Sequence, residues 1–101
     1  MKIPGRAWKP AASWWGAGLA REPLEIDVVA ESIDGKSILL GEAEWTSHPD
    51  FRRLTCELER KASNFPDRRG RQIFKALWTT QTRKLPDVAV IGPGEVLEAM
   101  K

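Results

Sequence analysis

From Leu24 to Trp45 apolar and polar residues alternate on both sides of Asp34-Gly35, the pattern of a β-hairpin. Asp-Gly favours positive φ at both central positions of a tight type I′ turn, and a turn centred there fixes the strand register. Asp27 then lies opposite Glu42 and Glu25 opposite Glu44, all four on one face. On the other face Leu24, Ile26, Val28 and Ala30 meet Trp45, Ala43, Gly41 and Leu39. That apolar face needs cover, and the next segment supplies it. Ser47-His48-Pro49-Asp50 resembles a capping box with Asp in place of Glu and Pro in the first turn, and Phe51, Leu54, Leu58 and Ala62 then recur at helical spacing. Pro66 ends the helix near Asn64 or Phe65.

The flanks are less regular. Pro4, Gly5 and Pro10 predict an irregular lead-in over the first ten residues, and Ala11 to Gly16 a short first strand. In that strand the adjacent Trp14 and Trp15 point to opposite faces, one toward the core and one toward a neighbour or partner. Arg71 to Thr80 is apolar and aromatic on both faces, as for a strand inside a sheet, and Asp87 to Ile91 reads as another buried strand. Gly92-Pro93-Gly94 breaks the chain before a short terminal helix over Glu95 to Met100. The order predicts a layered α/β (α+β) domain: an antiparallel strand meander, a helix crossover, further strands and a short C-terminal helix.

At 101 residues, 42% apolar and 30% charged, the chain is one domain (1–101) with a modest core. No apolar run reaches membrane-spanning length and no signal peptide is evident, so the expected compartment is the cytoplasm. The lone Cys56 fits a reducing compartment and reads as a semi-buried packing residue. Charge is unevenly placed: five Lys/Arg against eight Asp/Glu in residues 1–50, eleven against six in residues 51–101. An acidic metal site beside basic surface suits phosphodiester chemistry, although uneven surface charge alone has the same signature.

The hairpin carries the chemistry. Carboxylates directly across a ladder repel one another, and a bound cation, raised pKa values or solvent at the sheet's end must offset this. Asp27 and Glu42 converge from neighbouring strands as oxygen ligands for a hard divalent ion, Mg²⁺ or Mn²⁺; a solvated acidic edge is the competing explanation. Arg68, Arg69 and Arg71 form the densest basic cluster and are the candidate nucleic-acid contacts, against the ordinary reading that Arg accumulates in polar turns. His48, the only His, stands in the helix cap with no partner for catalysis or metal binding, and no Walker A pattern is present.

Asp27 within Glu25-Ile26-Asp27-Val28-Val29-Ala30, and Glu42 within Leu40-Gly41-Glu42-Ala43-Glu44-Trp45, resemble the PD-(D/E)XK nuclease superfamily, whose core carries an Asp on one strand and Glu-x-Lys on the next. With Ser13-Trp14-Trp15 and Asp87-Val88-Ala89-Val90 included, the likeness spans roughly residues 12 to 98. It is nearest to the uncharacterised domain fused to the C-terminus of archaeal-type P-loop ATPases. The resemblance implies a restriction-endonuclease-like core and a divalent metal held by Asp27, Glu42 and the backbone carbonyl next to Glu42. It also implies phosphodiester cleavage by a metal-activated water, with nucleic acid and the ATPase domain as partners. This chain departs from the pattern in two ways. Glu44 occupies the third catalytic position, where the family has Lys, and the family's acidic N-terminal helix has no counterpart. The charge reversal predicts degenerate or absent nuclease activity. Lys61 on the predicted helix is the candidate replacement cation, against its reading as a solvated helix-face residue. The alternative function is a non-catalytic protein-interaction or regulatory module that docks through Trp14, Trp15 and the sheet edge.

Overall fold

The computed structural model describes residues 2–3, 6–66, 70–81, 83–85 and 87–92. The predicted helix over residues 95–100 lies outside them. The elements are β1 (Lys2–Ile3), β2 (Arg6–Ala7), β3 (Ala12–Ala17), β4 (Pro23–Glu31), β5 (Ser37–Glu44), α1 (Phe51–Asn64), β6 (Gln72–Thr79) and β7 (Val88–Ile91). β1 and β2 pair antiparallel, so the lead-in expected to be irregular contains a small ribbon. β3 to β7 form one sheet in chain order. The first three strands are an antiparallel meander, α1 crosses over, and β6 and β7 add parallel to β5. The fold is mixed α+β, with a five-stranded sheet and, among the described residues, one helix.

Periodicity explains α1. Phe51, Leu54, Leu58 and Ala62 are its buried residues, spaced to form one apolar stripe. The cap, however, is Asp50, whose carboxylate accepts from the Arg53 N–H at 3.1 Å; Pro49 stands before the cap instead of inside the first turn. Phe65 is the C-cap, where Pro66 was expected to stop the helix. Cys56 is exposed, not semi-buried, because it falls off the stripe.

The β4–β5 register is the predicted one, from Val28 opposite Gly41 to Glu31 opposite Ile38. The turn is wider than a type I′ hairpin. Gly35 has a φ of 73°, while Asp34 is not among the positive-φ residues. The Asp34 carboxylate accepts from Ser32 Oγ at 2.6 Å and from the Lys36 N–H at 3.0 Å, which ties the loop around an ordinary turn and leaves the left-handed conformation to glycine alone.

A bulge changes which face carries what. Between β3 and β4 the pairs run from Ala12–Val29 to Trp14–Ile26, which leaves Asp27 and Val28 opposite Ser13 alone, one residue more on β4 than on β3. As a result Leu24, Ile26 and Val29 all pack toward α1, whereas Val28 and Ala30 join a second cluster on the far face with Trp8, Leu39, Ala76, Trp78 and Ile91. On β5 it is Ile38 and Leu40 that meet the helix. Glu42 and Glu44 share their parity, so they too face α1. The hairpin is therefore not divided into one acidic and one apolar face, as strict alternation had implied.

Candidate metal and phosphodiester site

The β4–β5 ladder ends at Val28–Gly41, one step short of the two acids. Beyond it β5 stays paired with β6 through Glu44–Thr79, while β4 stays paired with β3 through Pro23–Ala17. The sheet forks there, and the carboxylates fill the gap. Asp27 Oδ2 accepts from the Ala43 N–H at 3.0 Å, and Glu42 Oε2 accepts from the Asp27 N–H at 3.4 Å. Each acid thus replaces a ladder hydrogen bond across the fork, which satisfies amides that the separation would otherwise strand.

Lys61 completes the site. Its ammonium bonds Glu42 Oε1, and the two side chains are only 16% and 8% exposed. The reading of Lys61 as a solvated helix-face residue does not hold. Lys61 lies seven residues after the buried Leu54 and directly before Ala62, within the apolar stripe, and that position was the signal available in the sequence. Arg53, also on α1, reaches Glu44 at 3.6 Å. A cavity of about 250 Å³ is lined by Glu25, Asp27, Glu42 and Glu44 together with Arg53 and Lys61. All four predicted carboxylates therefore reach one place.

Arg71 lies elsewhere. Its side chain is 7% exposed and bonds Glu31, at the end of the sheet away from Glu42. Arg68 and Arg69 lie outside the described residues.

Burial pushes the Glu42 carboxyl above its ordinary value of 4.5; Lys61 opposes the rise and the neighbouring Asp27 carboxylate adds to it. The sign for folding follows. A proton held more tightly in the folded state contributes stability that is complete below the unfolded value and is lost as pH rises through the folded one. The sign for a metal is opposite, because a carboxylate ligand must shed its proton first. In EDTA, wild type should lose melting temperature relative to Glu42→Gln as pH rises through that window, and saturating Mn²⁺ should add more stability at the upper end than at the lower. Melting curves collected across pH, with and without metal, check both signs; parallel profiles for the two proteins would remove Glu42 as the titrating group.

Carboxylate oxygens are the donors a hard divalent ion takes, and here Glu42 Oε1 and Oε2 already accept from Lys61 and the Asp27 N–H, and Asp27 Oδ2 from the Ala43 N–H. Asp27 and Glu42 offer carboxylate oxygens from two adjacent strands, and Mg²⁺ is commonly held by one or two carboxylates with water and substrate oxygens completing its shell. Among the described residues no group of three or more His, Cys, Asp or Glu side chains is placed to hold a metal ion. No helix among them is long and apolar enough to cross a membrane. No protein-family model matches the chain, and neither a curated protein nor a solved structure matches it.

Proposed function

We propose that this domain is a divalent-metal-dependent phosphodiesterase of the PD-(D/E)XK type whose cationic residue is Lys61, supplied by α1 in place of the motif position occupied by Glu44. The observation that carries the reading is the bond from Lys61 to Glu42, beside Asp27, in an open cavity. The strand meander, the helix crossover and the parallel strand after it support it further. Charge reversal at Glu44 predicted a degenerate site; a buried lysine bonded to Glu42 favours an active one.

Each side chain then has a role. Asp27 and Glu42 would hold Mg²⁺ or Mn²⁺, which when bound would supply Lewis acidity toward water and phosphoryl oxygens. Asp27 is oriented by the Ala43 N–H and Glu42 by the Asp27 N–H, so both carboxylates are fixed before substrate arrives. Lys61 neutralises charge that develops on the phosphate in a setting screened from water. Arg53 holds Glu44 by an ion pair, which limits the repulsion that this carboxylate exerts on an incoming phosphodiester.

Mn²⁺ titration tests the reading, with wild type, Asp27→Asn and Glu42→Gln followed by melting temperature and amide NMR shifts. Wild type should gain about 2.7 kcal/mol at a hundredfold excess of metal over Kd, with shifts centred on Asp27 and Ala43. Both variants should lose most of that gain, and wild type alone should cleave nucleic acid with Mn²⁺. Equal responses in all three proteins would overturn the assignment. A second reading, a non-catalytic module docked on a P-loop ATPase, is favoured by one observation, the 82% exposure of Trp15 on edge strand β3. It predicts folded protein without metal-dependent hydrolysis.

A further inference from the structure

We infer that the substrate of this site is single-stranded nucleic acid, with an unpaired base stacked on Trp15 beside the acidic cavity. The inference rests on the phosphodiesterase reading and adds to it the form of polymer that enters.

Trp14 and Trp15 divide their duties. Trp14 turns inward and meets Phe65 edge to face, with ring centroids 5.1 Å apart, whereas Trp15 is 82% exposed. The Trp15 indole is therefore not needed by the core. It stands across the ladder from Glu25 and lines a cavity of about 430 Å³ with Pro23, Leu24 and Glu25. Glu25 also lines the acidic cavity, so the two spaces share one wall. Trp45, the residue after Glu44, is 52% exposed, which adds a second accessible indole next in sequence to a residue of the same site.

A rigid indole beside a phosphodiester site has an obvious complement, the face of a base. In a duplex the base faces are covered by their neighbours and only edges and backbone are presented. In a single strand the face is free, and stacking on an aromatic side chain is tolerant of sequence. The cavity volume is in the range of small-ligand sites. Electrostatics adds a condition: Glu25, Asp27, Glu42 and Glu44 repel phosphate until a divalent ion offsets them, with Arg53 the exposed cation of the wall. Strand binding should therefore require metal.

The test uses the full chain with Ca²⁺, an oxygen-seeking ion, and short end-labelled oligonucleotides: single-stranded DNA, single-stranded RNA and the DNA duplex. Affinity is read by anisotropy and stacking by quenching of Trp emission. At least one single strand should bind about 10-fold more tightly than duplex and quench emission, and EDTA should abolish binding. Trp15→Ala should weaken that strand by about 10-fold, and Trp15→Phe should retain most of the affinity. Duplex binding as tight as single strand, or an unaltered affinity in Trp15→Ala, would overturn the proposal, and either result would leave Trp15 to a protein partner. Hydrolysis of bis(p-nitrophenyl) phosphate by wild type with Mn²⁺ separates the two claims, since that substrate has no base to stack. Its absence sinks the phosphodiesterase reading and the inference with it, whereas hydrolysis with an indifferent Trp15→Ala sinks the inference alone.

Discussion

Lys61→Met should lower kcat for Mn²⁺-dependent phosphodiester cleavage by about 10²- to 10³-fold, the usual loss when one preorganised charge-stabilising donor is removed. Methionine keeps most of the apolar stem that a lysine lays against a helix stripe, so packing beside Leu58 and Ala62 changes little. What disappears is the ammonium on Glu42 Oε1. A second effect has a definite sign. Lys61 opposes the upward pull of burial on the Glu42 carboxyl, so its removal drives that carboxyl higher, and metal-dependent activity should require a higher pH than in wild type. A lysine that only pairs with Glu42 would move the pH profile in the same direction but leave the plateau rate at high pH near that of wild type, so the plateau rate separates the two roles. The decisive companion is Glu44→Lys in the Lys61→Met background, which returns a cation to the motif's own third position and should recover a substantial part of the lost rate. Single-turnover kinetics across pH on the three proteins reads every outcome, and a Lys61→Met enzyme with an unchanged plateau rate would end the assignment.

The part of this site that was legible in the sequence is the part set by local rules. Asp34-Gly35 fixed the register of β4 and β5 although the turn type differed, because any symmetric loop centred there pairs the same residues. The stripe Phe51, Leu54, Leu58, Ala62 gave α1 and its buried face. The bulge at Asp27-Val28 was not legible. It depends on how β3 pairs with β4, a long-range fact that no alternation within β4 records, and it decides that Ile26 and Val29 share a face. The side of the sheet on which α1 lies was equally hidden. With α1 assigned to the apolar face of an idealised hairpin, Lys61 had nothing acidic to meet; with α1 over Ile38 and Leu40, Glu42 lies within reach of it. Whether the apparently solvated lysine of the helix meets an acid at all was a question answered only by the packing of helix on sheet, which sets its ammonium on Glu42.

Gly41→Ala should destabilise the domain by about 1–3 kcal/mol, the range for overpacking a filled core, and lower its melting temperature by roughly 4–8 °C per kcal/mol. A Cβ on Gly41 would stand 2.2 Å from Trp78 Cζ3 and 3.0 Å from the Ala76 carbonyl oxygen. Trp78 is 7% exposed and packed in the second core cluster, so the ring cannot swing away without opening that face, and the carbonyl belongs to the neighbouring strand of the ladder. The contact is specific. Gly35→Ala, where a Cβ would meet nothing within 4 Å, carries only the cost of a left-handed φ of 73°. Trp78→Leu removes the ring and should cost stability by itself, yet the double variant should be more stable than the sum of the two losses predicts, because the clash is gone. Urea denaturation of the four proteins checks that coupling, and strict additivity would refute the clash. The consequence reaches the site. Gly41 closes the last regular β4–β5 pair before the fork, and the indole lying against its backbone sets where β5 runs as it delivers Glu42 toward Lys61. Displacing β5 there moves the carboxylate relative to Asp27, so Gly41→Ala should weaken Mn²⁺ binding beyond what its lost stability explains, measurable at a temperature where the variant is still fully folded.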